Sequence, residues 1–71
     1  MIRKTEDRAD NLRPADAARY LAISLSHLNK LRMKQHLHEG PAFAKVSGCI
    51  VYRRADLDAW LERNLVHAAA A

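Results

Sequence analysis

Seventy-one residues, with twelve Lys and Arg against eight Asp and Glu, make a small basic chain of formal net charge +4. That length supports one domain with one modest core, stable by only a few kcal/mol unless something staples it. The single cysteine, Cys49, excludes an intrachain disulfide, and no apolar run reaches the ~18 residues a membrane-spanning helix needs. One cysteine and no signal-peptide pattern lead to the expectation of a reducing cytoplasm. The charge is uneven along the chain. Residues 1–12 balance to zero. Residues 13–54 hold eight cations against Asp16 and Glu39, net +6, and residues 55–71 hold Arg63 against Asp56, Asp58 and Glu62, net −2. A positive field concentrated mid-chain is the electrostatic footprint of a nucleic-acid binder, the plainer alternative being a solvated basic surface.

Residues 1–11 are polar, mixed in charge and aperiodic, which predicts a flexible arm. A short helix is predicted over 12–22. Pro14 suits a first helical position and Asp16 complements the dipole of the first turn, although Arg13 stands where a capping Ser or Thr would serve better. Ala17, Ala18 and Leu21 form a narrow apolar stripe that lets another helix approach closely. Ile23 closes a tight turn, and Ser24 is a good N-cap for a second helix with Leu28 and Leu31 facing the core. That helix is expected to run on through Met33 and Lys34 and to fray before the Gly40-Pro41 break. Two short helices joined by so short a turn make a helix-turn-helix unit.

Two β-prone runs follow, Phe43–Val46 and Cys49–Tyr52, flanking a Ser47-Gly48 turn signal. An isolated hairpin is unstable in water, so Phe43, Val46, Ile50 and Tyr52 are expected to pack it onto the helices. Adjacent Ile50 and Val51 leave its register open. A third helix is predicted over Ala55–Leu65, with Leu57, Trp60 and Leu61 at i, i+3 and i+4 and acids in its first turn. The residues after 66, ending in Ala68–Ala71, read as a frayed tail. The predicted fold is therefore mainly α with a small β-hairpin: a winged helix-turn-helix over residues 12–66, in which Leu28, Leu31, Tyr52, Leu57 and Trp60 share the interior.

The chemistry available is that of binding. Duplex phosphates are neutralised by Lys and Arg with release of counterions, and a helix fits the major groove, where base edges carry a distinguishable code. Arg13, Arg19, Arg32, Lys34, Lys45, Ser47, Arg53 and Arg54 are the candidates for backbone contacts. Leu25, Ser26, Asn29 and Lys30 are the candidates for base edges, with His27 and Met33 as lesser ones. Asn29 suits adenine and Lys30 guanine. Five or six engaged phosphates would give a slope of log affinity against log salt near about −5. His36, His38, Cys49 and His67 lack the spacing of a zinc site, so neither metal nor cofactor is expected. Cys49 has no base at motif spacing and is read as a buried or idle thiol. No catalytic constellation or phosphate-binding loop is apparent, and so short a chain offers little room for a small-molecule pocket.

Three segments carry a family resemblance: Ala17-Ala18-Arg19-Tyr20-Leu21-Ala22-Ile23-Ser24, Leu28-Asn29-Lys30-Leu31-Arg32, and Tyr52-Arg53-Arg54-Ala55-Asp56-Leu57-Asp58-Ala59-Trp60-Leu61. From Leu12 to Asn64 the sequence resembles the excisionase or AlpA-like branch of the MerR-related winged helix-turn-helix proteins. The resemblance implies binding to double-stranded DNA, with the second helix in the major groove and the wing on adjacent backbone or minor groove. It further implies DNA bending, an integrase or recombinase as protein partner, self-association on DNA, and action at a bacterial nucleoid. Some members of the family regulate promoters instead. Two departures stand out. Cys49 and Val51 occupy wing positions that are often basic in the family, leaving Lys45, Ser47 and Arg53 as the local phosphate candidates, and Leu25 occupies a recognition-helix position that is often basic, which suits a thymine methyl better than guanine. A reading from another class is a protein-interaction module docking through the third helix, whose Asp56, Asp58 and Glu62 are acidic, or through Leu65-Val66.

Overall fold

The computed structural model describes residues 10–66. In chain order the elements are β1 (Asn11–Leu12), α1 (Pro14–Leu21), α2 (Leu25–Lys30), a 3-10 segment (Lys34–Glu39), β2 (Ala44–Val46), β3 (Cys49–Arg53) and α3 (Arg54–Arg63). The expected arm up to residue 9 and the expected tail from residue 67 lie outside the described residues.

Arg13 precedes α1 in extended conformation with no side-chain cap, and Pro14 takes the first helical position, where a missing N–H leaves no bond unmade. Ala17, Ala18 and Leu21 are its buried face. The helix stops because Ala22 turns left-handed, at φ 61 and ψ 38. The Ala22 N–H then donates to the Arg19 carbonyl at 3.1 Å and the Ile23 N–H to the Ala18 carbonyl at 3.0 Å, the paired bonds of a Schellman ending. Ser24 caps the next helix as its type predicts, its Oγ accepting from the His27 N–H at 3.0 Å. The Ala22–Ser24 turn thus satisfies the end of one helix and the start of the next.

The second helix is shorter than the sequence led us to expect. α2 ends at Lys30, after which Arg32 and Met33 donate to the carbonyls of Asn29 and Lys30 in tightened turns. Met33 is extended, and Lys34 belongs to the separate 3-10 segment. Tertiary packing breaks the helix. Gly40 is buried against Leu31, so close that a Cβ on it would stand 2.8 Å from the Leu31 Cβ. In a continuous helix those two positions would be about 13 Å apart along the axis, so the chain has to fold back. Trp60 holds the returning segment, its Nε1–H donating to the Glu39 carbonyl at 2.8 Å.

β2 and β3 pair antiparallel, with Ala44 opposite Val51, Lys45 opposite Ile50 and Val46 opposite Cys49. Ser47 at φ 51 and Gly48 at φ 82 make the two-residue turn whose twist matches a hairpin. This register leaves Val46 54% exposed, contrary to the packing role expected of it. Phe43 does pack inward, its ring 6.0 Å from that of Tyr52. A third strand, unexpected from the sequence, completes the sheet in the order β1-β3-β2, with Asn11 opposite Arg53 and Leu12 opposite Tyr52. Asp10 and Asn11, at the end of the expected arm, are therefore tied down, and the Asp10 carbonyl also accepts from the Arg54 N–H at 2.7 Å.

Sheet and helices close over Ala17, Ala18, Leu21, Leu28, Tyr52 and Leu57, with Leu12, Ile23, Phe43, Ile50 and Trp60 packed around them. Of the five residues expected to share the interior, Leu28, Tyr52 and Leu57 are fully buried, whereas Leu31 and Trp60 are half-buried at its edge. The architecture is a helix-turn-helix, a hairpin wing whose sheet gains a third strand, and a C-terminal helix.

Candidate nucleic-acid interface

α2 meets the core through Leu28 alone; its five other residues are exposed. At about 100° per residue, Leu25, Asn29, Ser26 and Lys30 fall within an arc of about 140° that excludes Leu28. The four base-edge candidates therefore share one outward face. Leu25 is 42% exposed on it. His27 projects from another side of the helix, and Met33 lies beyond its end.

The backbone-contact candidates divide into three groups. Arg13, Lys34 and Lys45 are exposed, as is Lys30 on α2, and none has a carboxylate within ion-pair distance among the described residues. Ser47 is exposed at the hairpin turn. Three arginines are already paired. Arg19 reaches Asp16 at 3.2 Å, Arg54 reaches Asp10 at 3.1 Å, and Arg53 grips Asp56 with two bonds of 2.7 and 3.0 Å. The hydrogen bond to Asp56 raises the Arg53 pKa further above its already high ordinary value. Arg32 is in the third group: it turns inward, its Nη1–H donating to the Tyr52 hydroxyl at 2.9 Å. Lys34, expected on the second helix, stands on the 3-10 segment instead.

Some contacts were not foreseen in the sequence. The Tyr20 hydroxyl donates to Asp58 at 2.6 Å, joining α1 to α3 across 38 residues. That bond, aided by some desolvation and the nearby Asp58 charge, raises the pKa of Tyr20. Neither residue carries a local signal for such pairing. Asp56 and Asp58, read as part of an acidic docking face, are thus both engaged within the molecule, which leaves Glu62 as the exposed acid of that trio without an intramolecular ion pair among the described residues. His36 contacts Glu39 at 3.0 Å. Among the described residues no three His, Cys, Asp or Glu side chains converge as metal ligands would. Cys49 is exposed on the wing, not buried.

A short helix bearing its polar residues outward, set after a three-residue turn and beside a hairpin, is the arrangement that reads base edges in a major groove. The helix-turn-helix domain family matches residues 12–65. The chain belongs to that family. No curated protein matches it as a relative. As a helix-turn-helix domain it binds DNA sequence-specifically, and α2 is the second helix of the unit. No helix among the described residues is long and apolar enough to cross a membrane.

Proposed function

We propose that this helix-turn-helix protein is an accessory DNA-binding factor of site-specific recombination, an excisionase that binds and bends double-stranded DNA and directs an integrase toward excision. The observation that carries the reading is the outward face of α2, which gathers Leu25, Ser26, Asn29 and Lys30 beside a hairpin wing. In this reading Asn29 and Lys30 read base edges, Leu25 covers a thymine methyl, and Ser26 completes the face. Arg13, Arg32, Lys34, Lys45 and Ser47 hold phosphates. Arg19, Arg53 and Arg54 contribute less, because each already has a carboxylate. With four cations left to hold phosphates, Arg13, Arg32, Lys34 and Lys45, the expected slope of log affinity against log salt is about −4.

A single domain of this size covers only a few base pairs, so useful specificity calls for several copies on DNA or for a bound partner. Exposed Leu61 and Glu62 on α3, with exposed Leu65 just past its end, are the surface we assign to contact with the integrase. No catalytic step is required of the chain.

Footprinting on the attachment site and promoter next to a neighbouring integrase gene tests the role, together with a circular-permutation gel shift for bending. Protection and bending at the attachment site are expected. Protection confined to the promoter would make the protein a transcriptional regulator of the mobile element. Absence of protection at both would favour a protein-interaction module acting through α3.

A further inference from the structure

Arg32 is the cation this fold treats most oddly. It is half-buried, yet no carboxylate lies within ion-pair distance among the described residues. Arg54, also half-buried, has Asp10. A guanidinium taken partly out of water without a counter-ion is costly, and a neutral hydroxyl offsets that cost only in part. The hydroxyl is that of Tyr52, a residue with no exposed surface, which accepts from Nη1 at 2.9 Å. One of the five guanidinium donors is spent there, and one arm of the fork is anchored to a fully buried residue.

The location gives the arrangement meaning. Arg32 lies two residues past the end of α2, and Tyr52 belongs to β3, the central strand of the sheet that carries the wing. The fork therefore sits at the seam between the outward helix and the hairpin. A planar guanidinium with free donors matches the oxygens of a phosphate diester far better than a flexible ammonium does. We propose that Arg32, oriented by the buried Tyr52 hydroxyl, is a preformed seat for one backbone phosphate of a DNA duplex. Arg32 is the contact and Tyr52 the positioning residue. The inference rests on the DNA-binding reading above and goes beyond it by separating this phosphate site from the exposed surface lysines.

The test measures duplex affinity across a salt series for the wild type, Arg32→Ala, Arg32→Lys and Tyr52→Phe, each first checked for helical content. Arg32→Ala should make the salt slope shallower by about one. Arg32→Lys should keep the slope but bind several-fold more weakly, having charge without the fork. Tyr52→Phe should also keep the slope and lose roughly three- to tenfold in affinity, because the charge stays while its orientation is lost. In the wild type, the Arg32 side-chain Nε–Hε NMR signal should shift on addition of duplex. Should Arg32→Ala fail to fold, the lysine and phenylalanine variants carry the same distinction. A wild type that binds while Arg32→Ala keeps the full slope overturns the phosphate seat. A Tyr52→Phe protein that melts earlier yet binds as tightly as the wild type reduces the hydroxyl to a structural role. A wild type that binds no duplex removes the DNA-binding reading itself.

Discussion

The two ends of the basic stretch from Lys30 to Arg54 treat their positive charges in opposite ways. On α2 and along the 3-10 segment and β2, Lys30, Lys34 and Lys45 project into solvent with no acid nearby among the described residues. At the junction of β3 and α3, Arg53 and Arg54 are held by Asp56 and Asp10. In sequence all five count equally toward a net positive middle. In three dimensions the junction uses its arginines to close the sheet onto the last helix, and the other end leaves its lysines available. Net charge therefore marks a basic segment, and pairing separates the cations left free to meet an anion from those already held.

Breaking the support of the outward helix should have the largest effect. Leu28 is the only buried residue of α2 and is fully enclosed. Leu28→Ala should cost about 2–5 kcal/mol, comparable with the whole stability expected of a domain this small. Urea denaturation followed by circular dichroism reads it, and a loss below about 1 kcal/mol would mean that the helix is held otherwise. Next comes Gly40→Ala, whose new methyl would meet the Leu31 Cβ at 2.8 Å and the Leu31 carbonyl oxygen at 3.3 Å, neither of them the far end of a flexible side chain. Overpacking of this kind costs about 1–3 kcal/mol. The same denaturation experiment should place it between Leu28→Ala and the wild type.

The contrast between free and paired cations is sharpened by two substitutions compared side by side. Lys30→Ala should weaken binding to the cognate site roughly tenfold and shrink the advantage of that site over random duplex. Arg53→Ala should change affinity less than about twofold, since its ion pair with Asp56 competes with any phosphate, and should lower stability only slightly, because the Arg53 side chain is largely exposed. Arg32→Ala is the poorer probe of surface charge, because it also strips the Tyr52 hydroxyl of its partner. Equal losses for Lys30→Ala and Arg53→Ala, measured by fluorescence anisotropy, would erase the distinction drawn between the two ends.

What the sequence made legible follows from the range of the forces involved. Helix α1 with Pro14, the Ser24 cap, the Ser47-Gly48 turn and the burial of Leu28, Tyr52 and Leu57 all rest on local chemistry or periodicity, and all are present. β1 was not legible because two residues have no period, and its pairing partner Arg53 lies 42 positions away. The break after Lys30 is equally non-local: it comes from Gly40 packing on Leu31 and from Trp60 holding Glu39. Leu61, placed by spacing on the apolar stripe of the last helix, is 40% exposed because the core ends at Leu57 and Trp60. At the interface, the outward face of α2 was visible from helical spacing. The pairing of Arg19, Arg53 and Arg54 was harder to see, although Arg19–Asp16 and Arg53–Asp56 sit at i,i+3, a spacing that hints at such contacts.

The smallest effect is expected from the tie between Tyr20 and Asp58, which joins the helix-turn-helix to the paired end of the molecule. The hydrogen bond to Asp58 raises the pKa of Tyr20 above the ordinary value of 10.0, so the folded protein holds the phenolic proton more tightly than the unfolded chain does. The sign follows. The tie's contribution to stability is fully present below pH ~10 and declines as pH rises through the higher folded-state pKa, because in that window the unfolded chain has already released its proton. Beyond it the phenolate would face the Asp58 carboxylate with no hydrogen to share. Tyr20→Phe lacks both the bond and the titration. Its stability relative to the wild type should therefore be lower at neutral pH, and the two should converge in the alkaline limb. Tyr20 is 43% exposed, so solvent screening keeps the difference small. A pair of urea midpoints at neutral and alkaline pH suffices to check it: parallel stability curves across that range would mean that the bond to Asp58 does not couple the two ends of the fold.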